Sequence, residues 1–270
     1  MTTMLDARRP AVVSKPMQEA FEVQARRLNL RPGDKWVGGY VDYEWEHLRH
    51  IAEALPLELA GLKLLEFGCN VGASAILFAH MGARVTASDI SEGYVELARL
   101  NAARYGKDGI DFAFIPDSRA LPYADSQFDV IACNSVLEYV EPCQIAAVQR
   151  EIDRVLAPGG LILLTGTSNR LWPREAHSHR WLVNYLPRWF DRLLASPPQR
   201  GMSPWMARHG FGPGYDNLDL PRLDGFFARS RLAMGMPPKR LASLLRIARL
   251  LGVGPGLLTP NLSCLLKKHK

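Results

Sequence analysis

Between residues 63 and 91 the chain changes its hydrophobic period twice. Leu64, Leu65 and Phe67 make a short apolar run, the mark of a strand buried in a parallel sheet. The turn Gly68 to Gly72 follows, and Ala73 to Met81 has the composition of a short helix that Gly82 stops. Val85 and Ala87 then lie on a second strand ending at Ser88-Asp89. The alternation continues. Ser91 is suited to cap a helix whose face is Tyr94, Leu97, Ala98 and Ala102, and Gly106 closes it. DFAFI (111–115), FDVIAC (128–133) and LILLT (161–165) read as three more strands. Ile145, Val148, Ile152 and Val155 keep helical spacing, and Ala157-Pro158-Gly159-Gly160 breaks that helix before the fifth strand. Strands alternating with helices predict a Rossmann-like, doubly wound, mostly parallel sheet.

The flanks are less regular. Residues 1 to 15 read as disordered or loosely attached, and Lys15 to Leu30 as a helix ending before Arg31-Pro32-Gly33. From Asp42, the positions Trp45, Leu48, Ile51 and Leu55 recur at helical spacing. The aromatic segment ahead of them, with Trp36, Gly38, Gly39 and Tyr40, either packs on the first strand or forms a flap over a ligand, with Tyr40 as its contact. Beyond the fifth strand, residues 185–237 are rich in Pro, Gly and Arg and predict irregular structure with short helices. In 240–252 the residues Leu241, Leu244, Leu245, Ala248 and Leu251 share one face, which either packs against the sheet or lies on an acidic membrane surface. NLSCLLKKHK reads as a final strand, the antiparallel edge. The expected organisation is a helical N-terminal flap (1–60), a Rossmann-like core (61–167) and a basic elaboration with the last strand of the same domain (168–270).

Composition changes this picture in two places. The hydrophobic fraction, 47%, is ordinary for a globular chain. No run approaches the roughly 18 apolar residues that cross a bilayer. The N-terminus lacks the apolar segment of a secretion signal. Cys69, Cys133, Cys143 and Cys264 form no CxxC pair and no zinc spacing, so a reduced cytoplasmic protein without a metal site is the economical expectation. The charge of +6 is unevenly spread. Residues 168–270 hold 17 Lys and Arg against 5 Asp and Glu, and residues 1–167 hold 16 against 22. The basic part also carries Trp172, Trp181, Trp189 and Trp205, and reads either as a solvated face or as a surface for an anionic partner.

In such a sheet, ligands sit at the carboxyl ends of the strands. Glu66, the Gly68–Gly72 turn and Asp89 fall there. Asp89 can accept hydrogen bonds from both hydroxyls of a ribose. Glu66, two residues before the first glycine, suits an ammonium rather than a pyrophosphate, and Asn70 stands where a dinucleotide fingerprint has its second glycine. A ligand with a ribose at one end and an amine at the other is implied, and S-adenosylmethionine is such a molecule. Asp117, after the third strand, can accept a hydrogen bond from an adenine amino group.

With these residues in place, the chain resembles the class I S-adenosylmethionine-dependent methyltransferases, most closely the group that makes ubiquinone and menaquinone. LLEFGCNVG, SDIS, PDSRALPYADSQFDVIACNSVLEYV and RVLAPGGLILLT carry the likeness over about residues 62–167. The resemblance implies that Glu66 orders the methionine amino group and that Gly68 and Gly72 let the backbone approach the cofactor. Asp89 would bind the ribose, Ile90 would lie against the adenine, Asp117 and Ser118 would meet its amino group, and Asn134 would face the methionine part. Two departures stand out. Asn70 replaces a glycine but can still adopt a positive φ. Many relatives have Glu-His after the fourth strand, a pair that in some quinone enzymes helps hold a divalent metal; here it is Glu138-Tyr139, so no metal is expected.

The loop GTSNRLWPREAHSHRWLVNYLP leaves the carboxyl end of the fifth strand. Its Asn-Arg…Pro-x-Glu-x-His pattern is similar to loops in small-molecule and glycan-related methyltransferases. His177, then His179, is the candidate general base, with Glu175 as partner; the alternative is that the same residues only pin the loop. The leading expectation is methyl transfer to a small or glycan-like acceptor, anionic or lipid-linked, at oxygen. RNA modification is the alternative that the basic half suggests, although no separate RNA-binding module is visible. A non-catalytic cofactor-binding protein is the third.

Overall fold

The computed structural model describes residues 9–193 and 199–270. Seven strands form one sheet: β1 (Lys63–Phe67), β2 (Arg84–Asp89), β3 (Asp111–Phe114), β4 (Phe128–Asn134), β5 (Leu156–Ser168), β6 (Tyr215–Asn217) and β7 (Asn261–Lys268). Their order is β3-β2-β1-β4-β5-β7-β6. Pairing is parallel from β3 through β5, and β7 runs antiparallel between β5 and β6. The winding reverses between β1 and β4, so the crevice of the fold opens at their carboxyl ends.

Side chains alternate across each strand, which divides the core into two layers. Leu64 and Val130 face α4 (Ala73–His80) and α5 (Glu92–Arg104), in one cluster with Phe21, Trp45 and Leu97. Leu65 and Ile131 face the other layer, built on Ile145, Val148 and Ile152 of α6 (Ile145–Val155).

The doubly wound, mostly parallel architecture is as the periodicity predicts, and four details differ. The Ala157–Gly160 break lies inside β5, because the pairing of Phe128 with Leu156 resumes at Val130 with Leu161 across a register shift. The final strand is not outermost: β6, only three residues long, pairs on its free side. The helical stretch of 42–55 is two helices, α2 (Tyr40–Glu46) and α3 (Leu48–Glu53), divided at His47. The helix predicted over 240–252, α9 (Pro238–Leu251), follows α7 (Pro204–His209) and α8 (Phe226–Ala233). Its Leu241 and Leu245 bury against Phe227 and Ala228 of α8 rather than the sheet, and Leu251 is exposed.

The N-terminal part is more firmly held than its composition suggests. Residues 1–8 lie outside the described residues. The Val13 N–H donates to Arg104 O (2.8 Å), Arg9 pairs with Asp42 (2.8 Å), and Ser14 caps α1 (Lys15–Arg27). Arg104 is fully buried. Its guanidinium donates to Asn101 Oδ1 (2.6 Å), Gln18 Oε1 (2.6 Å) and Gly38 O (2.9 Å), and lies 4.0 Å from the Phe21 ring. One side chain thus ties α5 to α1 and to the turn ahead of α2. Arg104→Ala would leave these acceptors unpaired, and a loss of about 3 kcal/mol in urea unfolding is expected.

Candidate active site

Three positive backbone angles shape the turn after β1: Gly68 (φ +81°), Asn70 (φ +49°) and Gly72 (φ +75°). Asn70 takes the left-handed conformation that its side chain tolerates, as expected. The turn is held from β2. Gly68 and Cys69 donate their N–H groups to Ser88 O, at 2.9 and 2.8 Å. Asp89 Oδ2 accepts the Asn70 N–H (2.8 Å) and Oδ1 the Ser91 N–H (3.0 Å). Burial raises the Asp89 pKa, against the pull of these backbone donors. Each oxygen keeps a second lone pair, so the acid can still accept from ribose hydroxyls.

The glycines serve packing more than the sequence suggests. A Cβ on Gly68 would meet Val136 Cγ2 at 2.2 Å, so the space above that residue belongs to Val136. A Cβ on Gly72 would meet Ala98 Cβ at 3.0 Å, where α5 crosses the turn. Each glycine is therefore required by its neighbours as well as by its positive φ.

Glu66 is 2% exposed at the end of β1. Ser74 and the Ala75 N–H hydrogen-bond its carboxyl group, but Oε2 has no partner. Burial raises its pKa well above the usual range, and Glu44 and Asp89 add to the rise. Asn134, at the end of β4, joins this acid to a second one. Its Nδ2 donates to Ser74 Oγ (3.0 Å) and to Glu44 Oε1 (3.0 Å), while its Oδ1 accepts from Thr165 (3.1 Å). Glu44 is buried on α2, raised to about 7 by that burial, and bonded also to the Tyr40 hydroxyl. Tyr40, Glu44, Asn134, Ser74 and Glu66 are thus one network. Sequence reasoning found Tyr40, Asn134 and Glu66 and missed Glu44. Its signal was there: the acid sits on the apolar stripe of Val41, Trp45 and Leu48.

The remaining candidates divide. Ile90 is 67% exposed directly after Asp89, a bare apolar side chain at the rim. Asp117 is exposed and turned onto Arg119, which donates Nε to Oδ1 and Nη2 to Oδ2, both at 2.8 Å. Those bonds lower the Asp117 pKa to about 2. Ser118 follows, half-buried.

On the acceptor side, the loop after β5 brings His177 back to Glu138. Nε2 lies 3.7 Å from Glu138 Oε1, and the carboxylate holds the His177 pKa above its usual value. The same oxygen accepts the Ser168 N–H (3.2 Å); Glu138 Oε2 and Ser168 Oγ, both buried, have no partner. The Tyr139 ring is 5.5 Å from the His177 ring. Glu175 acts on the His177 ring through its charge, which adds to the rise of the imidazole pKa, rather than through a bond to a ring nitrogen. Fully buried, it accepts the N–H groups of His177 (2.9 Å) and Ser178 (2.5 Å) and closes the turn. Burial opposes its ionisation, yet these donors lower its pKa. His179 stands exposed at positive φ (+57°), its carbonyl accepting from Arg174. The histidine missing from the Glu138-Tyr139 pair is supplied in space by His177, a long-range contact that local sequence does not reveal. Among the described residues, no group of three or more His, Cys, Asp and Glu is disposed to hold a metal ion.

Residues 65–164 match the family model described as a methyltransferase domain. These residues form a methyltransferase domain. Curated relatives include the ubiquinone biosynthesis O-methyltransferase of Pseudomonas aeruginosa strain UCBPP-PA14, 36% identical over 113 residues (42% of this chain, 47% of the relative). That of Thiobacillus denitrificans is 34% identical over 124 residues (46% and 50%). The chain spans about half the length of the curated relatives it matches. Among solved structures, the [4+2]-cyclase SpnF has a TM-score of 0.53 at 22% identity, with 83% of this chain and 81% of that one covered. A chain from the Haloferax volcanii complex of the Trm112 methyltransferase activator with its methyltransferase has a TM-score of 0.51 at 19% identity, covering 94% and 98%. These two share the fold. The resemblance read from the motifs is borne out for the core, and with it S-adenosylmethionine as its cofactor. The residues fit that molecule: the unpartnered Glu66 Oε2 suits an ammonium, the spare lone pairs of Asp89 a ribose, and exposed Ile90 a purine face.

Two results are expected from this geometry. Asp89→Ala frees the Asn70 and Ser91 N–H groups as well as the ribose, so calorimetry should record at least a roughly tenfold loss of cofactor affinity. The raised Glu44 pKa means that its contribution to stability is complete below about pH 4.5 and lost as pH rises through about 7. Glu44→Gln should therefore raise the melting temperature of the ligand-free protein at pH 8 and leave it unchanged at pH 4.

Proposed function

We propose that the protein transfers a methyl group from S-adenosylmethionine to a hydroxyl oxygen of a small-molecule or glycan-like acceptor, anionic or lipid-linked. The observation that carries the acceptor side is the Glu138–His177 pair on the loop leaving β5. Relatives named as O-methyltransferases support oxygen as the atom methylated. When bound, the cofactor supplies a methyl on a sulfonium whose sulfur departs as a neutral thioether. Placing the acceptor in line with that methyl gives much of the rate. His177 takes the hydroxyl proton as the oxygen–carbon bond forms, and Glu138 orients the ring and stabilises the imidazolium. The orphaned Ser168 hydroxyl is a further contact for the acceptor oxygen.

The basic, Trp-bearing half supports an acceptor with negative charge or sugar faces. Ile247, Leu250 and Leu251 of α9 are exposed beside Arg246 and Arg249, which supports peripheral contact with an acidic membrane surface. Among the described residues, no helix is long and apolar enough to cross a membrane. All four cysteines are free, which supports a cytoplasmic location.

The test is mass spectrometry of cell extract incubated with the protein and methyl-labelled cofactor. A labelled metabolite or glycan supports the proposal, and label confined to RNA favours the alternative. With the acceptor in hand, His177→Ala should lower kcat about 100-fold and leave cofactor affinity intact. The rate should rise with pH through the raised His177 pKa, since only the neutral ring is a base, and Glu138→Gln should move that rise to lower pH.

A further inference from the structure

We propose that Glu44 is a cofactor-binding residue: with Glu66 it forms a two-carboxylate clasp for the ammonium group of S-adenosylmethionine, and the clasp holds a proton that leaves when the ammonium enters. The inference rests on the cofactor reading of the core. It deepens that reading by assigning a ligand from α2, outside the motifs that carry the resemblance.

The geometry is a bridge of four side chains. Glu44 Oε1 accepts from Asn134 Nδ2, the same amide donates to Ser74 Oγ, and Ser74 bonds the Glu66 carboxyl group. Both acids are buried, at 3% and 2% exposure. Their partners are neutral: Asn134 and Tyr40 for Glu44, Ser74 and the Ala75 N–H for Glu66. One oxygen, Glu66 Oε2, has none. Two carboxylates sharing a buried network with no cation bonded to either is an arrangement that cannot carry its full charge cheaply. It accommodates either a bound proton or a bound cation. An ammonium has three donors, enough for Glu66 Oε2, for a free lone pair of Glu44, and for one more acceptor.

The charged and titratable groups around the pair reinforce this. Tyr40 and Tyr43 on α2, Asp89 from β2, Cys69 in the turn and Cys133 on β4 couple to one or other acid, and each is neutral or negative. Arg231, on α8, reaches only as far as Tyr43 and Asp219. His80, on α4, packs edge-on against Trp45. With Glu44 raised to about 7, the pair keeps its proton in slightly acidic solution. The entering ammonium displaces a proton to solvent, so affinity rises with pH through about 7.

The experiment is calorimetry with S-adenosylhomocysteine, which carries the ammonium, and 5′-methylthioadenosine, which lacks it, at pH 6 and 8 in two buffers of different ionisation enthalpy. Wild-type protein should bind S-adenosylhomocysteine about tenfold tighter at pH 8 and release close to one proton near pH 7. Neither effect should appear with 5′-methylthioadenosine. Glu44→Gln should weaken S-adenosylhomocysteine roughly 10- to 100-fold at pH 8 and abolish the proton release. Its unchanged affinity for 5′-methylthioadenosine would establish that the fold and nucleoside end are intact. If Glu44→Gln binds S-adenosylhomocysteine as tightly as wild type with the same proton release, or loses both ligands together, Glu44 is a packing residue and the proposal is wrong. Wild-type protein that binds neither ligand would overturn the cofactor reading itself.

Discussion

A carboxylate with one oxygen left unpaired inside the protein is the constraint on which the rest depends. Glu66 lies near the carboxyl end of β1, only 2% exposed, and its Oε2 has no donor. An isolated buried charge of that kind costs several kcal/mol, far more than a surface residue contributes. Burial accordingly raises the Glu66 pKa, so a proton or a cation lifts that cost. Leu64, Leu65 and Phe67 of β1 are buried, and the turn after the strand is fixed by Asp89 and Ser88. A ligand with an ammonium near Glu66 and hydroxyls near Asp89 fits these two acids.

The topology explains why these groups meet. Reversal of the winding between β1 and β4 sets Glu66 beside Asn134, and β2 on the other side brings Asp89 under the turn. β5 carries Thr165 to Asn134 and continues into the loop that returns His177 to Glu138. Cofactor groups and acceptor groups thereby share the ends of four adjacent strands. A [4+2]-cyclase has the same fold, so the sheet alone does not select methyl transfer. The selection lies in the side chains at its edge.

Much of this was readable from residue order because it is local. The strand, glycine turn, helix and acid of 63–91 lie within one stretch, and period changes mark each element. Asn70 at positive φ and Ser91 as a cap follow from intrinsic backbone preferences. What escaped the sequence is long-range. Nothing near Glu44 in the chain signals Asn134, ninety positions away, and nothing near Glu138 signals His177. Val136 over Gly68 belongs to the same class, since a glycine that admits a side chain looks no different from one that admits a ligand. The three-residue strand β6 was too short to show a period, and the turn that Glu175 closes by accepting the His177 and Ser178 N–H groups was not legible from residue type and spacing alone.

The measurement that bears most directly on this account is the affinity of Glu66→Gln for S-adenosylhomocysteine, taken together with its stability at pH 8. Glutamine keeps the shape and the Ser74 contact but removes the charge. Affinity should fall roughly 10- to 100-fold while the ligand-free protein becomes no less stable than wild type. Unchanged affinity would mean that the buried carboxylate plays no part in holding the ligand, and the site would have to be rebuilt around other groups.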